Sequence, residues 1–367
     1  MRRIHILAWR DLEDPEAGGS ELHIHEVARR WAAAGIEVTL RTSYAPGRSH
    51  LITRDGYRVI RKAGRYLVFP RAAISERVGW HGPADALVEI WNGMPFLSPV
   101  WHRGRRLVLL HHVHGEMFDM VLPPRLARLG RIIESRIAPP FYRHTAVATL
   151  SASSRTELLE ELRLPARNVA TVPPGIAAGF RPAPELRSPT PLLVAVGRLV
   201  PVKRYDLLIR VAAGARRSVP GLHLRILGEG YERESLEALV ADLGAGDWVE
   251  MPGRVEDDEL VRSYQEAWLV SSASSHEGWG MTLTEAAACG TPAVATDIPG
   301  HADAVVHGRT GLICADADLG SAVAALLLDT ARRDAMSAAG LERAATLTWE
   351  ATALSLLQLL AAQPTPR

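Results

Sequence analysis

Short apolar runs alternate along the whole chain with longer segments in which apolar residues recur every three or four positions. Ile4–Ala8 and Val38–Thr42 have the length and composition of buried strands, and Glu21–Ala34 between them has the period of an amphipathic helix. Further strands are predicted at Leu107–Leu110, Ala146–Leu150 and Ala170–Val172, with helices between them. The first half of the chain therefore has the strand–helix alternation of an α/β domain.

The alternation begins again after a proline-rich stretch from Pro173 to Pro189, which is the best candidate for a linker. The predicted strands are Leu192–Val196, His223–Leu227, Trp248–Met251, Leu269–Ser271 and Ala293–Thr296, and the predicted helices are Tyr205–Arg216, Glu232–Asp242, Glu256–Glu266 and Thr282–Cys289. Short loops between alternating strands and helices indicate parallel sheets with helices on both faces. We therefore predict two Rossmann-like domains that face an inter-domain cleft, over residues 1–180 and 181–348, with ligands beyond the carboxyl ends of the strands.

Composition excludes several classes of protein. With 47% apolar and 23% charged residues among 367, the chain is not disordered and has enough apolar side chains for two large cores. The net charge of +1 argues against a nucleic-acid binder, but the charge is unevenly divided. Residues 1–180 contain 25 basic and 17 acidic side chains, whereas residues 181–367 contain 17 and 24. Two halves of opposite charge suggest two units with different tasks.

The cysteines and the N-terminus indicate a cytoplasmic protein. Cys289 and Cys314 are the only cysteines, too few for a disulfide framework and not arranged as a Cys-x-x-Cys pair. The first residues lack the apolar core and cleavage site of a signal peptide, and no apolar run approaches the ~18 residues of a membrane span. Any contact with the inner face of a membrane is therefore expected to be peripheral.

The segment from Ser275 to Thr296, SHEGWGMTLTEAAACGTPAVAT, has the most informative candidate chemistry. Glu277 stands in a glycine-containing loop, and Glu285 stands one turn inside the helix that follows it. The start of a helix offers unpaired N–H groups to an anion. Two carboxylates that flank a bound phosphate suit a ligand with sugars on both sides of a pyrophosphate. Taken alone, the segment favours the simpler interpretation of a solvated glutamate pair beside an ordinary glycine loop.

Other candidate groups follow the predicted strands of the second half. Arg198 and Lys203 come just after a strand, where an arginine fork and a compact ammonium can bind phosphate oxygens. Lys203 is one of only two lysines, with Lys62, although a surface lysine at a helix start is the simpler interpretation. The loops at 228–230 and 253–255 can present backbone groups to a base, or they are plain turns.

The first half offers a glycine loop and a group of histidines. Gly18 and Gly19 precede the first helix without the G-x-G-x-x-G spacing, so a redox dinucleotide is not supported. If the chain is extended after Leu110, His112, His114 and Glu116 point the same way. That pattern permits a metal site of two histidines and one carboxylate, but a hydrogen-bonding histidine is the favoured interpretation.

Several motifs together resemble the family 4 retaining glycosyltransferases of GT-B fold. The resemblance covers essentially the whole chain and is most specific over residues 190–315. The motifs that carry it are HEGWGMTLTEAAACGTPAVAT, VAVGRLVPVKRYDLL, LRILGEGYERESLEALV, TVPPGI, AGGSELHIHEVARRWAAAGIEVTL and HHVHG. The resemblance implies a nucleotide-diphosphate sugar, UDP- or GDP-linked, as co-substrate, with no cofactor and no metal, and an acceptor hydroxyl in glycan, glycolipid or glycosylated metabolite biosynthesis.

The resemblance also implies a role for each matching residue. Glu285 would hold the nucleotide ribose, Glu277 would contact the transferred sugar, and Arg198 and Lys203 would stabilise the leaving pyrophosphate. His114 best matches the family's histidine near the donor sugar, with His112 as the alternative. The remaining substrate-binding candidates are Gly18, Gly19, Gly228, Gly230, Arg254, Val255, Gly278, Trp279, Gly280, Met281, Thr282 and Leu283. The last helix, 349–363, would cross back onto the first domain.

Some features depart from the family pattern or leave alternatives open. His301 and Asp303 stand where many members have a glycine and a glutamate, which puts the contacts to the sugar in doubt. A predicted helix around Pro124–Ala138 combines an apolar stripe with arginines, which suits an anionic membrane, a lipid-linked acceptor or a solvated surface. The alternatives to a transferase are a sugar-nucleotide epimerase of the same fold and a non-catalytic sugar-nucleotide binder. The sequence identifies neither the base, the sugar, the acceptor nor the oligomeric state.

Overall fold

The computed structural model describes residues 1–363 and divides the chain into two compact units. The first unit consists of Met1–Gly175 together with the segment that begins at Trp349, and the second is Ile176–Thr348. Each unit is an α/β domain around its own sheet, wholly parallel in the second unit and parallel apart from one edge strand in the first, in agreement with the predicted α/β class. No helix within residues 1–363 combines the length and the apolar character that crossing a membrane requires.

The first unit has an eight-stranded sheet of order β3-β4-β2-β1-β5-β6-β7-β8. Its strands are β1 (Arg3–Leu7), β2 (Glu37–Thr42), β3 (Leu51–Arg54), β4 (Tyr57–Arg61), β5 (Ala86–Trp91), β6 (Arg105–Leu110), β7 (Ala146–Thr149) and β8 (Val169–Thr171). Its helices up to Gly175 are α1 (Gly19–Ala33), α2 (Val68–Arg77), α3 (Ser98–Trp101), α4 (Met117–Val121), α5 (Pro124–Ile132), α6 (Pro139–Tyr142) and α7 (Ala152–Glu160). The central strands are apolar and almost completely buried because helices cover both faces.

Two features of the first unit differ from the sequence prediction. The sheet is not wholly parallel, because β3 pairs antiparallel with β4 at one edge through a tight turn at Asp55-Gly56. Both turn residues have positive φ, as an Asp-Gly hairpin turn requires. The segment predicted as a helix around Pro124–Ala138 is helical but is not one regular α-helix, because α5 ends at Ile132 and a π-helical turn, Ile133–Ile137, follows directly.

The second unit has a six-stranded parallel sheet of order β11-β10-β9-β12-β13-β14. Its strands are β9 (Leu192–Val196), β10 (His223–Leu227), β11 (Val249–Gly253), β12 (Leu269–Ser272), β13 (Ala293–Thr296) and β14 (Gly311–Cys314). Its helices are α8 (Tyr205–Arg216), α9 (Arg233–Asp242), α10 (Asp257–Glu266), α11 (Met281–Ala288), α12 (Pro299–Ala304), α13 (Leu319–Leu328) and α14 (Thr330–Ala344). The strand order is that of a doubly wound Rossmann sheet, with its switch point between β9 and β12.

The last helix, α15 (Trp349–Ala361), belongs to the first unit and packs beside α1. Leu356 and Leu360 are buried in the core that α1 covers, and the Trp31 indole donates a hydrogen bond to the Ala353 carbonyl at 2.9 Å. The second unit is thus a continuous insertion in the first. Its two ends lie side by side, since Ile176 pairs with Thr348 in a parallel bridge.

Candidate active site

The switch point of the second unit brings together two loops that are far apart in sequence. One follows β9 and includes Gly197, and the other follows β12 and includes Ser275. The Ser275 N–H donates to the Val202 carbonyl at 2.9 Å, so the backbones of the two loops are in direct contact. Diverging loops at a switch point form the crevice in which ligands of such sheets bind.

Lys203 and Glu277, 74 positions apart, form an ion pair in this crevice through Lys203 Nζ and Glu277 Oε1. The Ser274 hydroxyl donates to the same carboxylate oxygen at 2.9 Å. The two charged side chains are only 22% and 19% exposed. Burial is the largest single influence on Glu277 and opposes its ionisation. The charges of Lys203 and His301, together with the hydrogen bonds from Lys203 and Ser274, outweigh burial and lower the pKa of Glu277. A carboxylate and an ammonium, both charged, therefore stand together at the carboxyl edge of the sheet.

Glu285 lies in the first turns of α11 and is nearly fully buried. The Tyr264 hydroxyl donates to Glu285 Oε2 at 3.2 Å. Burial is the main influence on the carboxyl group and raises the pKa of Glu285 to about 7. The two glutamates that the sequence analysis paired therefore differ in character, since Glu277 is a stable carboxylate and Glu285 gains or loses a proton near neutral pH.

The loop between the two glutamates is tightly built. Gly278, Trp279 and Gly280 are buried, and Gly280 has a φ of +95°, a left-handed conformation that precedes α11. The Leu283 N–H bonds back to the Gly280 carbonyl at 3.0 Å, so this amide is already used within the chain. Met281 and Thr282, at the helix start, are half-buried. This is the helix terminus that the sequence predicted as an anion site.

The candidate glycines at 228 and 230 have a packing role that the sequence analysis did not include. A Cβ on Gly228 would lie 1.9 Å from the Gly197 carbonyl oxygen, and one on Gly230 would lie 2.1 Å from the Leu199 carbonyl oxygen. Only glycine permits the loops after β9 and β10 to approach so closely. The side chains of Arg198 and Arg254 are exposed, and that of Val255 is half-buried.

The segment around His301, which departs from the family pattern, packs against the backbone of Glu277. A Cβ on Gly300 would lie 2.1 Å from the Glu277 carbonyl oxygen, so the two backbones touch. His301 is fully buried, and its Nδ1 lies 2.9 Å from the Thr296 carbonyl. Ser274, Tyr264 and this supporting role of His301 were not predicted from the sequence. Ser274 lies only three residues before Glu277, so its contact was within reach of a local reading, whereas the contact of Tyr264 with Glu285 spans 21 residues.

The glycine loop of the first unit is held by an internal carboxylate. Glu21, buried in the first turn of α1, accepts from the Gly18 N–H at 2.8 Å and from the Ser20 hydroxyl at 2.9 Å. Arg10 Nε donates to its other oxygen at 3.2 Å. The loop that contains Gly18 and Gly19 is therefore preorganised, with one of its N–H groups already satisfied.

The histidines that follow β6 have different environments. His111 is buried edge-on against His23, with ring centroids 5.2 Å apart. The rings of His112 and His114 stack at 4.8 Å, and His114 Nδ1 lies 3.5 Å from the carboxylate of the buried Glu134. Among residues 1–363 no group of three His, Cys, Asp or Glu side chains has metal-site geometry. His112, His114 and Glu116 therefore do not form such a group in the described part of the chain.

Two family models match the chain and together span most of it. The model described as Glycosyltransferase Family 4 matches residues 17–179, and the model described as Glycosyl transferases group 1 matches residues 179–343. The D-inositol 3-phosphate glycosyltransferase of Kribbella flavida is 34% identical over an alignment of 404 positions, gaps included. The alignment covers 97% of this chain and 95% of that protein. The GDP-mannose-dependent alpha-(1-6)-phosphatidylinositol monomannoside mannosyltransferase of Mycobacterium tuberculosis is 29% identical over 378 residues, with coverage of 94% and 95%.

Solved structures share the fold at lower identity. Sucrose-phosphate synthase from Thermosynechococcus elongatus superposes with a TM-score of 0.83 at 22% identity, covering 98% of both chains. HepE of Anabaena, in complex with UDP-glucose, superposes with a TM-score of 0.76 at 16% identity, covering 98% of this chain and all of that one. These are GT-B structures, in agreement with the two α/β domains.

Proposed function

The chain belongs to glycosyltransferase family 4, and from that membership we propose that it is a retaining, metal-independent transferase whose second unit binds a UDP- or GDP-sugar. The observation that carries the proposal is the Lys203–Glu277 pair at the switch point of that unit. In one ligand crevice, the ammonium can bind the anionic diphosphate of a sugar diphosphate and the carboxylate can accept hydrogen bonds from the sugar hydroxyl groups. The UDP-glucose complex of HepE and the GDP-mannose-dependent relative support a nucleotide-sugar donor.

The proposed roles follow from the charge of each group. Lys203 and Arg198 bind the diphosphate, the free N–H groups at the start of α11 add to this anion site, and Glu277 accepts hydrogen bonds from hydroxyl groups of the transferred sugar. Glu285 receives the ribose hydroxyls, and the base lies against Gly228–Gly230 and Arg254–Val255. In the first unit, His114, Gly18 and Gly19 are candidates for substrate binding, as the family resemblance implies.

The proposed chemistry needs no protein nucleophile. The bond between the anomeric carbon and the diphosphate oxygen lengthens, which leaves positive charge on the sugar ring and negative charge on the diphosphate. The acceptor hydroxyl then attacks from the face that the diphosphate leaves, and a diphosphate oxygen takes the hydroxyl proton. Lys203, Arg198 and the α11 terminus stabilise the negative charge where it develops, which is the largest contribution that fixed groups make to such a reaction.

The first unit is proposed to bind an anionic or lipid-linked acceptor. It is the basic half of the chain, and the relatives named above act on inositol phosphate or on a phosphatidylinositol glycoside according to their names. Leu126, Leu129 and Ile137, from α5 and the π-helical turn, are about half exposed, and the exposed Arg125 and Arg128 stand among them. Apolar and basic side chains on one segment suit peripheral contact with an anionic membrane.

A donor screen followed by product analysis tests the proposal. UDP- and GDP-sugars are screened by thermal shift, since a ligand that binds the native state raises its melting temperature. Transfer from the bound donor to an inositol phosphate or glycolipid acceptor is then followed by NMR in the presence of EDTA. The proposal requires an α-linked product from an α-linked donor and full activity with EDTA. An inverted product, a requirement for metal, or epimerisation of the donor without acceptor would contradict it.

Membrane contact has a separate test. Vesicles of phosphatidylcholine with and without phosphatidylglycerol are sedimented with the protein. Leu126→Gln combined with Leu129→Gln should reduce binding to the anionic vesicles, whereas Leu354→Gln, on the exposed face of α15, should not. Equal binding by all three proteins would exclude α5 as the contact.

A further inference from the structure

Three consecutive backbone N–H groups after β6 point at carboxylates from two different helical segments, the buried Glu134 and the half-buried Glu157. The Val113 N–H donates to Glu157 Oε2 at 3.1 Å. The N–H groups of His114 and Gly115 donate to the two oxygens of Glu134, each at 3.0 Å. Successive N–H groups that converge in this way form an anion-binding nest. In this protein the carboxylates of Glu134 and Glu157 occupy the nest, so their hydrogen bonds fix the backbone of the loop that contains His114.

Glu134 lies in the π-helical turn, on the buried side of its segment. Ala127, Glu134 and Ala138 are buried, whereas the residues 135–137 between the last two are exposed. A glutamate in the buried stripe of a helix is costly unless its charge is well bonded. Glu134 satisfies this condition through two backbone N–H groups of the His114 loop. π-Helical turns are frequently found at functional sites, where they redirect a side chain.

The same carboxylate faces the His114 ring. His114 Nδ1 is buried and lies 3.5 Å from Glu134 Oε1, and the described residues offer it no nearer hydrogen-bond partner. Other neighbours fix the plane of the ring, which stacks on His112 and lies 5.5 Å from Phe118. A Cβ on Gly93 would lie 3.4 Å from His114 Nε2, so glycine leaves room for the ring. The ring therefore has one edge toward a carboxylate and the other edge beside Gly93.

We propose that Glu134 is a positioning residue that keeps His114 protonated on Nδ1 and so presents Nε2 as a hydrogen-bond acceptor. A carboxylate beside one ring nitrogen fixes which nitrogen holds the proton, as in the carboxylate–histidine pairs of metal and hydrolase sites. The nest fixes the backbone of the same residue, so one carboxylate sets both the position and the tautomer. The consequence for catalysis rests on the proposed function of His114, but the tautomer does not.

NMR of protein labelled with ¹⁵N-histidine tests the tautomer without any substrate. The His114 signals are assigned from the spectrum of His114→Gln, and the wild-type protein should show a single Nδ1–H tautomer. Glu134→Gln should give a mixture of tautomers, because a neutral amide oxygen is a weaker acceptor than a carboxylate. Glu157→Gln is the control, since it changes the neighbouring half-buried carboxylate, which accepts from the Val113 N–H, and should leave the tautomer unchanged. An Nε2–H tautomer in the wild type, or no change in Glu134→Gln, would overturn the proposal.

Kinetics give an independent measurement of the coupling. Glu134→Gln should lower kcat/KM about 10- to 100-fold, the usual effect of losing the partner that orients a functional histidine. In a His114→Ala background the same substitution should cost less than about twofold, because residues that act as a unit are not additive. An equal loss in both backgrounds would show that Glu134 acts only on stability and would refute the positioning role. Wild-type activity of His114→Ala alone would refute the proposed role of His114, while the NMR result would still decide the tautomer.

Discussion

The Lys203–Glu277 ion pair leads to a prediction of opposite effects on binding and transfer. In the donor-free protein Lys203 is bonded to Glu277, so a diphosphate that recruits the ammonium must compete with the carboxylate. Glu277→Gln removes that competition and also removes a negative charge that repels the phosphates. We therefore expect this variant to bind a nucleoside diphosphate more tightly and to transfer sugar more slowly.

The magnitude follows from the burial of the pair. A hydrogen bond to a charged group contributes about 1.5–3 kcal/mol, and partial exposure places this pair at the lower end. About 1.5 kcal/mol corresponds to roughly tenfold tighter binding. If Glu277 contacts the donor sugar as proposed, loss of its carboxylate should lower kcat by about 100-fold or more, as removal of one positioned polar group often does.

Calorimetric titration of UDP and GDP into the wild type and Glu277→Gln measures the first effect, and initial rates with the sugar donor measure the second. Glu237→Gln is the control for net charge, since it removes one carboxylate from an exposed pair with Arg233 in the same unit. Nucleoside diphosphate binding that is unchanged or weaker in Glu277→Gln would refute the competition between Glu277 and phosphate.

Three further predictions concern the same unit. Lys203→Ala should lower kcat/KM by about 100-fold through the loss of leaving-group stabilisation, and Lys203→Arg should have an intermediate value. Steady-state kinetics measure both variants, and full activity of Lys203→Arg would contradict a specific requirement for the lysine. Burial raises the pKa of Glu285 to about 7, so the folded protein binds this proton more tightly than the unfolded chain, and the resulting stabilisation is lost as the pH rises from about 4.5 to 7. Glu285→Gln should therefore raise the melting temperature at pH 8 but not at pH 4. Calorimetry that shows equal shifts at both pH values would contradict this. Gly228→Ala should destabilise the unit by about 3 kcal/mol or more in urea unfolding, because its Cβ would overlap a carbonyl oxygen, whereas Gly246→Ala, with open space around it, should change stability by less than about 1 kcal/mol.

The central elements of each domain were predictable because hydrophobic pattern alone determines them. The runs at β9, β10 and β13 were predicted to the residue, since each is short, contains at least three apolar residues and is followed by a turn signal. The β3–β4 hairpin was missed although Asp55-Gly56 is a strong turn signal, because β3 is largely exposed and arginines interrupt the apolar residues of β4. The π-helical turn has no sequence signature of its own, and the apolar and polar residues of 124–138 fit a continuous helix equally well.

Some residues of the candidate site could be grouped from the local sequence, and others could be grouped only from contacts in the structure. Glu277, Glu285 and the glycines between them lie in one segment, so sequence could group them. Lys203 was grouped with them only by the rule that ligands bind at the ends of parallel strands, and the structure gives the direct contact. Glu134 could not be recognised, because its partner is 20 residues away and a glutamate among arginines resembles an ordinary surface residue.

The insertion of one unit within the other determines the order in which the chain can complete its domains during synthesis. Ile176–Thr348 is contiguous and its ends pair with each other, so this unit has all its strands once residue 348 has emerged. The other unit begins earlier but lacks Leu356 and Leu360 of its core until the last helix is made. The half of the protein that is translated first is therefore finished last, and a nascent chain that stops before α15 exposes the apolar surface that this helix covers.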